Sequence, residues 1–205
     1  MAVESKHKFT YEHYTQLPEG LRFELLDGDF FRITPAPTTR HQWISRELQF
    51  ALELYLRETR WGLLFNAPID VKLSEHDVLQ PDLVVLARGR KSIIKPKFLQ
   101  GCPDLVVETL SPATEKRDRG VKRSTYSRYG AQELWLVDPA ANTIEVHVAS
   151  QDAELECWKT FGVDQRLQSK LLPNLSLELE PIFSAPDEPQ GPSRHPQPAE
   201  KPGPS

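Results

Sequence analysis

Residues 103–139 read PDLVVETLSPATEKRDRGVKRSTYSRYGAQELWLVDP. Two apolar runs stand near the ends of this stretch, Asp104-Leu105-Val106-Val107-Glu108 and Glu133-Leu134-Trp135-Leu136-Val137. Each is short and apolar at successive rather than alternate positions, the pattern of a strand covered on both faces. Between them, residues 114–129 are strongly charged and are followed by Gly130, as in a helix closed by a glycine at its C′ position. A third run, Asp82-Leu83-Val84-Val85-Leu86, repeats the buried-strand pattern upstream. Several such strands with a helix inserted between two of them predict an α/β or α+β domain, a mixed sheet flanked by helices.

Toward the N-terminus, Thr10 is placed to cap a short helix ending before Pro18. Arg22-Phe23-Glu24-Leu25-Leu26 and Asp29-Phe30-Phe31-Arg32-Ile33 flank Asp27-Gly28, a hairpin signal ended by Pro35 and Pro37. Thr38 then opens a long helix with Ile44, Leu48, Ala51, Leu52, Tyr55 and Leu56 at helical spacing, stopping near Gly62. Short strands are expected at about 62–66 and 69–74. Further strands are expected at 143–148, after a turn at Asn142, and at 154–161 and 175–179. Residues 8–183 form the expected domain. Residues 184–205 carry seven of the 18 prolines and no aliphatic residue larger than alanine, and are expected to be a disordered tail.

At 205 residues, 39% hydrophobic and 26% charged, the chain can bury a core unaided and is neither collagen-like nor coiled coil. No run approaches the ~20 apolar residues of a membrane span, and the charged start Met1-Ala2-Val3-Glu4-Ser5-Lys6 lacks a secretory signal's apolar core. A cytoplasmic protein without a membrane partner is the expectation. Cys102 and Cys157 have no CxxC or zinc-finger spacing, so neither a disulfide framework nor a Cys-rich metal site is expected, and both read as small buried hydrophobes. Net charge is −4, but the average conceals an asymmetry. Arg88 to Arg128 holds eleven basic residues against Asp104, Glu108, Glu115 and Asp118, a local +7 that suits a phosphate backbone as well as a solvated surface.

Two carboxylates sit where apolar strands begin and end. Asp82 follows Pro81, and Glu108 closes its strand. A lone ionised carboxylate is costly to bury, so such groups have a cation, a metal or strong donors beside them. Together the two suit Mg²⁺, which prefers hard oxygen ligands. On the following helix, Asp118, Lys122, Tyr126 and Tyr129 share a face, and Lys122 can reach back toward the acids. Taken singly, Asp82 also suits a strand start, Glu108 a partner for Thr109 or an arginine, and Lys122 a solvated helix. Asp104 is an alternative acid, but it lies ~13 Å along the strand from Glu108, too far for one ion to take both. His41 fits a proton carrier or phosphate contact as well as a structural histidine. The four tryptophans read as core or rim.

QPDLVVLARGR at 80–90, the quoted 103–139 block, RFELLDGDF and TPAPTTRHQW together resemble the Uma-two family of the PD-(D/E)XK nuclease superfamily. The resemblance covers about residues 8–183. It implies a restriction-endonuclease-like fold, with Asp82 as the motif aspartate and Glu108 as the second acid. The superfamily's lysine stands two residues after that acid, where this chain has Leu110; the resemblance moves the role to Lys122. Glu24 and His41 match further polar positions of the family. The implied activity is Mg²⁺- or Mn²⁺-dependent hydrolysis of DNA, with metal on Asp82 and Glu108. Arg88, Arg90, Lys91, Lys116, Arg117, Arg119 and Arg123 would hold the duplex. Cutting both strands favours a homodimer. The alternatives are a non-catalytic binding module that keeps the fold and a hydrolase of small phosphate esters, the latter disfavoured by so long a basic segment.

Overall fold

The structure is a computed structural model that describes residues 8–18, 20–33 and 37–184. Pro35 and, apart from Ser184, the expected tail lie outside these residues. The chain opens with helix α1 (Tyr11–Thr15) and the hairpin β1 (Phe23–Leu26) and β2 (Asp29–Arg32), followed by the long α2 (Thr39–Thr59). Next come β3 (Gly62–Asn66), β4 (Asp70–Lys72), β5 (Val78–Leu79), β6 (Leu83–Ala87), a 3₁₀ segment (Arg88–Ile93), β7 (Phe98–Gln100) and β8 (Leu105–Thr109). Helices α3 (Glu115–Arg117) and α4 (Arg123–Arg128) lead to β9 (Glu133–Asp138), β10 (Thr143–Ala149) and β11 (Leu155–Gly162). The small pair β12 (Arg166–Gln168) and β13 (Ser176–Glu178) precedes a last turn, α5 (Glu180–Phe183).

The main sheet has the order β11-β10-β9-β8-β6-β3. Only β8 and β9 pair in parallel, because only they are joined by a helical crossover; the other neighbours are antiparallel. The sheet is therefore mixed, and the three apolar runs are its central strands. Each is buried on both faces, as their unbroken apolar character requires. On one face Leu83, Val85, Leu105, Val107, Trp135 and Val137 pack against Ile44, Leu48, Leu52 and Leu56 of α2 and the C-terminal segment. On the other, Val84, Val106, Leu134 and Leu136 pack against Tyr126 of α4 and a second sheet, β2-β1-β5-β4-β7.

Local chemistry sets the element ends. Asp27 and Gly28 both have positive φ, 48° and 79°, as the tight turn of a hairpin requires. The Thr38 hydroxyl accepts from the His41 N–H and starts α2, which ends at Thr59 rather than nearer Gly62 because Arg60 turns left-handed (φ 54°). Gly130 closes α4 at φ 85°. The expected continuous helix over 114–129 is interrupted. Between α3 and α4, Asp118–Lys122 winds as a π turn, with the Arg123 N–H donating to the Asp118 carbonyl five residues back. Periodicity cannot show such a turn, since one inserted residue leaves the charge pattern unchanged. The strands β5, β7 and β12 were also not expected; each has three residues or fewer and little periodicity to read. Cys102 is buried as expected, whereas Cys157 is exposed, because it lies on the edge strand β11.

Candidate active site

The antiparallel register of β6 and β8 pairs Leu83 with Val107. Continued by one residue, it brings Asp82 opposite Glu108, the separation at which cross-strand side chains interact. Asp82 Oδ2 accepts from the Thr109 N–H at 2.7 Å and lies 3.2 Å from His41 Nε2 at the start of α2. Burial pushes the Asp82 carboxyl up, but the His41 hydrogen bond and charge, the Thr109 N–H and Lys122 outweigh it and hold it below its ordinary value. His41 shows the mirror balance: burial lowers it, and Asp82 raises it more.

Glu108 is the centre of a second, deeper group. Its Oε1 accepts from Tyr126 Oη and lies 2.6 Å from Lys122 Nζ. Lys122 Nζ also lies 2.9 Å from Glu24 Oε1 and 3.3 Å from Asp118 Oδ1. Asp118 and Lys122 begin and end the π turn, both buried like Tyr126 on the following helix. Lys122 is only 3% exposed, and burial alone would lower its pKa. Glu108, Glu24 and Asp118 raise it well above the ordinary value instead, so the ammonium stays charged. Glu108 pays for the crowding. Burial pushes its carboxyl up to about 8, helped by Asp118, Glu24 and Asp82 and opposed by Lys122.

Glu24, Asp82, Glu108, Lys122 and His41 thus line one cleft of about 500 Å³, with Arg22, Gln80, Arg117 and Asp118. A neighbouring groove of about 640 Å³ shares Arg22, His41 and Asp82 and runs along α2 past Trp43, Arg46 and Gln49. The first turn of α2 lines both, through Thr38 and His41 in the cleft and Thr39, His41 and Gln42 in the groove. No local signal marks Arg22, Gln80 or Arg46 as members of the site. It placed Asp118 and Tyr126 on the stripe of Lys122 without assigning them to the site. The fourth member of that stripe, Tyr129, is used elsewhere, donating to Asp77 at 2.8 Å. Leu110, at the superfamily's lysine position, is buried in the core, so the amine at Glu108 comes from Lys122.

The basic residues do not stay together. Arg88, Arg90 and Lys91 follow the far end of β6, about 20 Å of extended strand from Asp82. Arg90 is tied to buried Asp104 at 3.0 Å. Of the helix residues, Arg117 lies 3.5 Å from Glu24 inside the cleft, Arg119 pairs with Glu115 and Glu145, and Lys116 is exposed. Arg123 is half-buried.

Residues 11–180 match the Uma2 family, described as "Putative restriction endonuclease". The chain belongs to the Uma2 family. The chain matches no curated protein, but it is similar to a solved structure. The crystal structure of "a putative nuclease belonging to DUF820" from Anabaena variabilis superposes with a TM-score of 0.69 at 21% identity, over 85% of this Uma2 chain and 97% of that one. That likeness establishes the nuclease-type fold. No helix among the described residues is long and apolar enough to cross a membrane.

Proposed function

We propose that this Uma2 protein is a divalent-metal-dependent endonuclease of DNA, with Asp82 and Glu108 as metal ligands. The observation that carries this reading is the composition of the cleft. Four carboxylates and one lysine are gathered at the open end of the central strands, an arrangement that adds little to stability and is common where a protein does chemistry.

The donor set fits Mg²⁺ or Mn²⁺. Asp82 and Glu108 offer hard carboxylate oxygens, and no donor among the described residues reaches Oδ1 of Asp82 or Oε2 of Glu108. A bound cation supplies Lewis-acid stabilisation of phosphoryl charge and activation of water. The side chains supply the rest. Lys122, kept charged by Glu24 and Asp118, donates to the nucleophilic water or to a phosphoryl oxygen as negative charge develops. Glu24 and Asp118 act through Lys122 as positioning residues, and Tyr126 fixes the Glu108 carboxylate. His41, held by Asp82 and lining the cleft, contacts a phosphate in this reading. Arg22 of the cleft and exposed Arg46 of the groove hold the backbone without reading sequence. A long groove beside the cleft suits a polymer better than a small phosphate ester.

The test is cleavage of supercoiled plasmid in Mg²⁺ or Mn²⁺ by the wild type and Glu108→Gln. Nicked or linear product from the wild type alone, abolished by chelation, is expected. Equal products from both proteins, or none from either, would favour the binding-module reading.

A further inference from the structure

Outside the cleft, β10 and β11 carry a second group of ligand-type side chains that the nuclease chemistry does not use. Glu145, His147 and Cys157 each place a ligand atom within 4.8 Å of the others. Glu145 and His147 are two residues apart on β10 and share a sheet face. A regular ladder would not bring Cys157 to them. Val146 pairs with Lys159 while His147 pairs with Cys157, so Trp158 is an extra residue in β11. Without this bulge Trp158 would stand opposite His147; with it, the thiol does.

The imidazole between the two outer groups is under-used. His147 is only 3% exposed. Its Nε2 lies 3.2 Å from Glu145 Oε2, and its Nδ1 is buried with no hydrogen-bond partner. Nε2, the nitrogen that faces Glu145, is the one able to share an ion with that carboxylate. Arg119 Nη1 holds Glu145 Oε1 at 2.6 Å, which fixes the carboxylate with its other oxygen toward the histidine. The same outer support orients carboxylate ligands in established metal sites.

We propose that Glu145, His147 and Cys157 form a binding site for a zinc-type transition-metal dication, separate from the Asp82–Glu108 cleft. A thiolate, an imidazole and a carboxylate are the donors Zn²⁺ accepts in tetrahedral sites, and a set that Mg²⁺ does not favour. Bonds of about 2.0–2.3 Å in a tetrahedron put neighbouring ligand atoms roughly 3.3–3.8 Å apart. The Glu145–His147 approach already has that scale. Cys157, exposed on the edge strand, is free to rotate onto the ion. Its S–H proton goes to solvent as the S–metal bond forms, and the fourth position is left to water.

The experiment uses the full chain, stripped of metal and titrated with Co²⁺. The expected result is a thiolate-to-cobalt charge-transfer band saturating at one equivalent, bleached by Zn²⁺ and unaffected by excess Mg²⁺. It should be absent in Cys157→Ser, at least tenfold weaker in affinity in Glu145→Gln, and retained in Glu108→Gln, which separates this site from the cleft. Thiol labelling gives a second readout on the unaltered protein. Burial pushes the Cys102 thiol up to about 12, so fast labelling in the native state reports Cys157. Zn²⁺ should slow it at least tenfold. Absence of the band in the wild type, its persistence in Cys157→Ser, or labelling indifferent to Zn²⁺ would each overturn the site.

Discussion

The strand β8 is bracketed by two buried acids whose surroundings could hardly differ more. At its start Asp104, 1% exposed, accepts from the Ala87 N–H at 2.8 Å, from Arg90 at 3.0 Å and from Gln132 at 3.3 Å. At its end Glu108 shares one oxygen between Lys122 and Tyr126, faces three other carboxylates, and opens on the cleft. Asp104 is saturated by three donors, including a main-chain N–H, so it ties the β6 end to the 3₁₀ segment. Glu108 is held by a lysine already claimed by Glu24 and Asp118, so its ionisation is resisted rather than supported. Burial alone therefore does not set a carboxylate's character. The identity of its partners does.

The two acids should respond oppositely to amide substitution. Asp104→Asn leaves Arg90 without its anion and donors competing for one acceptor, and is expected to lower unfolding free energy by about 1–3 kcal/mol, while cleavage per folded molecule is unchanged. Glu108→Gln keeps an acceptor for Tyr126 and removes an unfavourable charge. Its stability should match or exceed the wild type, while cleavage falls by roughly 100-fold or more. Urea melts beside plasmid assays measure both. If Glu108→Gln were the unstable variant, the distinction between the two ends would collapse.

The acidity of Glu108 offers a second, smaller contrast. Its folded pKa is raised above the unfolded value, so the native state binds the extra proton and stability falls as pH rises from the ordinary 4.5 toward about 8. His41, also raised, adds stability that is present below its ordinary 6.5 and lost as pH climbs past its folded value, so it acts with the same sign. Asp82 is lowered, so its contribution is lost only as pH falls below its ordinary 3.8, outside this window. Metal-free thermal melts from pH 5 to 8 should therefore slope downward in the wild type and less steeply in Glu108→Gln. Asp104→Asn should keep the wild-type slope; parallel lines for the wild type and Glu108→Gln would remove Glu108 as the source.

The smallest expected effect tests which end meets DNA. Arg46→Ala, beside the cleft, should reduce the log–log salt dependence of duplex affinity by about 0.9, the release of one phosphate contact. Arg88→Ala and Lys91→Ala, at the Asp104 end, should leave it unchanged. Anisotropy with the Glu108→Gln background and Ca²⁺ measures each slope, and the reverse pattern would move the duplex to the other end of the sheet.

Much of this was legible beforehand for a physical reason. The apolar runs of β6, β8 and β9, the Asp27-Gly28 turn, the Thr38 cap and the Gly130 stop are all local signals, written within a few residues of the elements they fix. Buried strands need apolar side chains on both faces whatever their partners, and a hairpin turn with positive φ needs its glycine. The acids at the strand ends stood out because they interrupt that pattern. The basic segment is contiguous in sequence and not in space: a five-residue strand separates Arg88 from Asp82.

The sequence by itself determined the central strands, their enclosing helices and the presence of costly acids at their ends, since these follow from burial and backbone geometry over short distances. Only the tertiary structure decided what surrounds each acid. The register of β6 against β8 brings Asp82 opposite Glu108, the buried Lys122 reaches Glu108 from the π turn, and β1 delivers Glu24 from about a hundred residues upstream of that lysine. The bulge in β11 likewise sets Cys157, not Trp158, against His147. Each depends on one residue of offset between distant segments. Electrostatic energy varies over a few ångströms, so such offsets decide whether a buried carboxylate is saturated by donors or left among other acids.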